Sequence, residues 1–76
     1  MNKKDKKNLN RIRVALREVR DKHGKDEIHK QSYLEECING KGIHVNNMCS
    51  VMNRLHKNGL VEIYGSENNY RLTDKL

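Results

Sequence analysis

The stretch from Lys41 to Lys57 carries amides, a hydroxyl and cations in a dense run. Asn46, Asn47, Ser50 and Asn53 offer neutral hydrogen-bonding groups, and Arg54 adds a planar fork of donors. An asparagine amide can pair with the N6 and N7 edge of adenine, and an arginine can grip guanine or a phosphate. Lys41, His44, His56 and Lys57 flank these groups. A lysine presents a point charge without directional pairing, which suits a phosphate better than a base. No Asp or Glu occurs from Ile43 to Leu60. A carboxylate there would be repelled by a phosphate backbone, so its absence leaves this stretch open to nucleic acid.

Other chemistries lack the spacing they need. Cys37, His44, Cys49 and His56 alternate along the chain with four or six residues between them. Zinc ligands normally arrive as closer pairs, two to four residues apart. Cys37 also falls on the apolar side of its segment, where a thiol packs as a small hydrophobe. No metal or cofactor is therefore expected. Asp21, Asp26, Glu27, Glu35, Glu36 and Glu62 are scattered, and no glycine-rich phosphate loop or Ser-His-Asp arrangement occurs. His23 and His29 read as a helix end and a linker. A chain this short has no walls for a deep pocket, so neither catalysis nor a small-molecule effector is expected.

Three helices and a hairpin must position the polar run. The first helix is predicted from Asp5 to His23, where Leu9, Ile12, Leu16 and Val19, with Ala15, form one apolar stripe. Asp5 is placed to cap its start and Gly24 to stop it. Residues 1–5 are expected to be a frayed basic tail. Ile28 is the lone apolar residue of the following link and is expected to plug the core edge. The second helix is predicted from Lys30 to Asn39, with Tyr33, Leu34, Cys37 and Ile38 on its inner side. Asn39-Gly40-Lys41-Gly42 ends it. The third helix is predicted from Val45 to Asn58, with Met48, Val51, Met52 and Leu55 turned inward, and Asn58-Gly59 closes it. Leu60 to Tyr64 and Tyr70 to Thr73 read as two strands around a polar turn, Gly65 to Asn69, with Glu67 near its apex.

Only 34% of the 76 residues are apolar and another 34% are charged, but the apolar ones are grouped at regular spacings, as a folded chain requires. One domain spanning 1–76 fits that length. The net charge of +6 favours an anionic partner. No apolar run approaches the length of a membrane span, and no apolar core follows the basic N-terminus as in a secretory leader. With two cysteines only, the expected location is cytoplasmic, with reduced thiols.

From Ile43 to Asp74 the chain resembles the second half of a winged helix-turn-helix domain, and most of all the MarR-type branch. Ile43, Met48, Val51, Met52, Leu55, Gly59, Leu60, Val61, Leu72 and Thr73 fall in register with that pattern. The resemblance implies an α+β fold: three helices and a C-terminal β-hairpin wing, with the third helix in the major groove of double-stranded DNA. It departs from the pattern at His44, where Ser or Thr usually caps the third helix, so Asn46 or Asn47 is the expected cap. The dimerising helices of MarR-type regulators have no counterpart before Leu76, so their dimerisation and effector response are not carried over.

On this reading Asn46, Asn47, Ser50, Asn53 and Arg54 read bases. Lys41, His44, His56 and Lys57 touch the backbone, joined by Asn68, Asn69 and Arg71 from the wing. The expected role is a small transcriptional regulator or an accessory factor of a phage or mobile element. Lys3, Lys4, Lys6, Lys7, Arg11, Arg13, Arg17 and Arg20 either add phosphate contacts or pack on a second copy, giving a homodimer through the N-terminal helix. The alternative is a winged-helix protein-interaction module that does not bind DNA. RNA or single-strand binding would call for exposed stacking aromatics, and Tyr33, Tyr64 and Tyr70 each have a packing role open to them.

Overall fold

The computed structural model of the chain describes residues 1–65 and 68–76. In chain order the elements are α1 (Lys3–Lys7), α2 (Leu9–His23), β1 (Ile28–Lys30), α3 (Gln31–Gly40), α4 (Met48–Lys57), β2 (Val61–Tyr64) and β3 (Asn69–Leu72). Among the described residues this makes a small α+β domain with four helices and a three-stranded antiparallel sheet ordered β1-β3-β2. No described helix is long and apolar enough to cross a membrane.

The stripe predicted on α2 is the one that is buried. Ile12, Ala15, Leu16 and Val19 are closed off, and Leu9 packs against them partly covered. They meet Leu34 and Ile38 of α3 and Met48, Val51, Met52 and Leu55 of α4 in one core. Burial of this apolar surface is the main force holding three short helices together.

Helices α3 and α4 end in the same way. Ile43 N–H donates to Ile38 O and Gly42 N–H to Asn39 O; Leu60 N–H donates to Leu55 O and Gly59 N–H to His56 O. Both are Schellman turns, whose left-handed residue is a glycine, at φ +80° for Gly42 and +74° for Gly59. In each turn the residue that follows the glycine, Ile43 or Leu60, is buried beside the helix end. The turn thereby anchors the chain to the core as it leaves the helix.

The sheet completes the layer. Val61 pairs with Leu72, Glu62 with Arg71, Ile63 with Tyr70 and Tyr64 with Asn69. On the other edge Ile28 pairs with Arg71, His29 with Tyr70 and Lys30 with Asn69. Successive side chains of a strand alternate faces, so Tyr70, Leu72, Val61 and His29 point to the helices. Thr73 then fastens the hairpin to the end of α4: its N–H donates to Leu60 O, and its hydroxyl lies 2.8 Å from Gly59 O and 2.9 Å from Leu60 O.

Four expectations are corrected. The basic N-terminus is not a frayed tail. Residues Lys3–Lys7 form a helix of their own, with Asn2 as cap, and the long first helix breaks at Asn8. Asp5 does not cap that helix; it lies inside it and is fully buried. Ile28 does not plug the core. It is half exposed, and His29 takes the inward position because the strand period places only one of two neighbours inside. The third helix starts at Met48, three residues after the predicted Val45, because the chain from Ile43 to Asn47 is held extended by contacts made elsewhere.

His29 sits in an aromatic corner between α2, β1 and α3. Its ring stacks on Tyr33 with centroids 5.6 Å apart and meets the edge of His23 at 5.2 Å. His23 Nε2 lies 2.8 Å from the Tyr33 hydroxyl, while its Nδ1 lies 3.4 Å from Glu27. Burial holds the His29 pKa below its ordinary value of 6.5; nearby Glu27 opposes that shift and His23 adds to it.

Candidate nucleic-acid interface

The outer side of α4 follows from its inner one. With Met48, Val51, Met52 and Leu55 fully packed, a period of 3.6 residues turns Ser50, Asn53, Arg54 and Lys57 away from the core. These four side chains, together with Met1, line one shallow concavity of about 190 Å³. Three of them were expected to read bases and the fourth to touch the backbone, and the fold brings them together. Asn53 and Lys57 are exposed; Ser50 and Arg54 are half covered.

Asn46 and Asn47 sit just ahead of the helix rather than on it. Asn47 is the N-cap: its Oδ1 accepts from Ser50 N–H at 3.1 Å. Its side-chain oxygen is therefore engaged, and pairing with a base would compete with the cap. The Asn46 amide donates to Asn2 Oδ1 at 3.3 Å, and Asn2 in turn accepts from Lys4 N–H.

A residue that sequence reasoning assigned elsewhere holds this approach in place. The two oxygens of Asp5 accept from Asn46 N–H and Asn47 N–H, each at 2.9 Å. A carboxylate on two backbone donors ahead of a helix is the favourable arrangement for an anion there. The sequence signal was one acid in a run of lysines from Lys3 to Lys7. Nothing local pointed to partners more than 40 residues away.

The remaining expected contacts are dispersed. His44 is exposed in the link before α4. Lys41, at the end of α3, turns to α2 and bonds Glu18 at 2.6 Å. His56 is exposed, with Nδ1 3.2 Å from Val61 O, so it ties the end of α4 to the start of β2. Arg71 is held on the outer face of the sheet, donating to Lys25 O at 2.9 Å and to the Glu62 carboxylate across the strand pair. Its guanidinium is thus already committed within the molecule.

Asn69 pairs across to both other strands, and Asn68, exposed at φ +55°, accepts from Gln31 N–H through its carbonyl. The expected apex, Glu67, lies outside the described residues.

The basic N-terminal half is also partly spent. Arg17 Nε donates to Leu76 O and Arg20 to Thr73 O, each at 2.9 Å, so two arginines clamp the last residues of the chain onto α2.

Gln31 links the hairpin to α4. Its Oε1 accepts from the Tyr70 hydroxyl at 2.8 Å, and its Nε2 lies 3.6 Å from Cys49 Sγ on α4. Burial, with Cys49 nearby, pushes the Tyr70 pKa above its ordinary 10.0 and keeps that hydroxyl a donor. Cys49 is exposed beside Gln31 while Cys37 packs against the core from α3, so the alternating Cys and His residues lie on separate elements. Compared with known proteins, the chain matches no family model, and no curated protein or solved structure is significantly similar to it.

Proposed function

We propose that this chain is a winged helix-turn-helix domain that binds double-stranded DNA sequence-specifically, with α4 in the major groove. One observation carries the reading: the outward side of α4 combines Ser50, Asn53, Arg54 and Lys57 in a single concavity, on a helix with no acidic residue. A helix of this length extends about 15 Å, enough to lie across a groove about 12 Å wide. The order of elements supports the same reading. α3 and α4 are joined by a short turn, and the β2-β3 hairpin follows α4 directly. The net charge of +6 supplies the long-range attraction that any duplex would feel.

On this reading Asn53 and Arg54 read base edges and Lys57 holds a phosphate. Asn46 and Asn47 act through the position of the helix start. The wing contributes little, since Arg71 is bonded to Glu62 and Lys25.

Selection of bound duplexes from a random pool, followed by anisotropy titration, tests this. The expected outcome is a defined site. Asn53→Ala should lower affinity for that site by about 1–3 kcal/mol while leaving the melting temperature and the non-specific affinity in place. A wild-type protein that enriches no sequence and shows no salt-dependent affinity for duplexes would refute the proposal.

A further inference from the structure

We infer that the outer face of α2 is a self-association surface that takes a second, antiparallel copy of this chain. Val14 lies opposite the buried stripe of α2 and is 49% exposed. Beside it runs a groove of about 300 Å³ whose lining includes Ala15 and Ile43, with Arg11, Glu18 and Lys41 also bordering it. A projecting apolar side chain next to an apolar hollow is what an isologous contact needs, because each copy offers both halves of the fit.

Charge decides the orientation. Arg11 precedes Val14 by three residues and Glu18 follows it by four. At 3.6 residues per turn, both fall on the same flank of Val14. A two-fold rotation about an axis between the helices, perpendicular to the plane that holds them, reverses the helix direction and keeps the flanks together. Arg11 of one copy then meets Glu18 of the other, and the pair occurs twice in the dimer. On the opposite flank, Arg17 meets the neutral Asn10. A parallel arrangement sets each charge beside its own counterpart and gains nothing.

Within one chain, Arg11 and Glu18 lie about two helical turns apart, so neither serves the other. The bond of Glu18 to Lys41 is half exposed and weak enough to be shared. One valine and one shallow groove per copy make this a contact of the small, transient class.

Sedimentation equilibrium on the full chain up to millimolar concentration tests the surface, with circular dichroism to verify folding of each variant. The wild type should show a reversible dimer. Val14→Asp should raise the dissociation constant roughly tenfold or more, as should R11E or E18R alone, since each reversal sets two like-charge pairs in the contact. Mixing the R11E and E18R proteins should restore association as a heterodimer. A wild type that stays monomeric at millimolar concentration overturns the inference. So does a dimer unmoved by Val14→Asp and the charge reversals, or a mixture of the two reversed proteins that fails to associate.

Discussion

Replacing Asp5 with alanine should destabilise the domain by an amount normally reserved for core residues, although Asp5 lies in a five-residue helix of lysines. The carboxylate is fully buried and accepts two backbone N–H groups at 2.9 Å. Hydrogen bonds to a charged group contribute about 1.5–3 kcal/mol each, so two lost bonds set an upper range of roughly 3–6 kcal/mol. Two effects reduce it. The buried charge is no longer desolvated, and water can reach the freed donors because Asn46 and Asn47 are otherwise exposed.

A net loss of about 2–4 kcal/mol is expected, out of a total of about 4–11 kcal/mol for a chain of this length. In a thermal melt that corresponds to a fall of about 10–30 °C. Asp5→Asn keeps one acceptor and turns an NH₂ toward the other N–H, so it should fall between the wild type and the alanine variant. Lys6→Ala, in the same helix but exposed, should stay within about 0.5 kcal/mol of the wild type. Alanine and asparagine variants of Asp5 that melt within a degree or two of the wild type would show that α1 is not docked on the approach to α4.

Other perturbations have distinct signatures. Leu55 is fully buried, so Leu55→Ala should cost about 2–5 kcal/mol by denaturant titration; an unshifted midpoint would mean the helix phase is wrong. Lys57→Ala should weaken DNA affinity equally for all sequences and flatten its salt dependence, and a loss confined to one sequence would contradict a phosphate role. Arg71→Ala should leave DNA affinity nearly unchanged and act on the stability of the hairpin, because its partners are Glu62 and Lys25; a large, salt-dependent drop in affinity would reverse that assignment. Because the His29 pKa is depressed in the fold, the unfolded chain takes up a proton that the native one refuses. Stability should therefore be unaffected by this group above about pH 6.5 and fall as the pH drops below it, and His29→Leu should remove that part of the slope. An identical pH profile for the variant would place the titration elsewhere.

What was legible in the sequence was what repeats locally. Leu9, Ile12, Leu16 and Val19 announced α2, and Met48, Val51, Met52 and Leu55 announced α4, because helix burial writes itself at spacings of three and four. The hairpin was legible from two short strand-like runs around polar turn residues. β1 was not, because a strand of three residues is too short for alternation to show which neighbour faces inward. The only apolar candidate, Ile28, was the wrong one, and His29 is carried inside by stacking on Tyr33.

The break at Asn8 was hidden for a related reason: the lysines on either side of Asp5 are good helix formers, so propensity favours one continuous helix. Of the candidate interface, Ser50, Asn53, Arg54 and Lys57 followed from the phase of α4. The commitments of Lys41 to Glu18 and of Arg71 to Glu62 did not, since an ion pair across elements leaves no trace in spacing.

The Gln31 side chain, shared between Tyr70 and Cys49, has a mechanical consequence. A strut at that point lets the hairpin and the fourth helix swing only as one piece, like the jaws of a fixed-gauge caliper. A body built this way cannot adjust its grip to a misshapen object, so whatever it holds must bring the right width to it. Sawing through the strut, as Gln31→Ala would, should free the jaws and trade discrimination for tolerance.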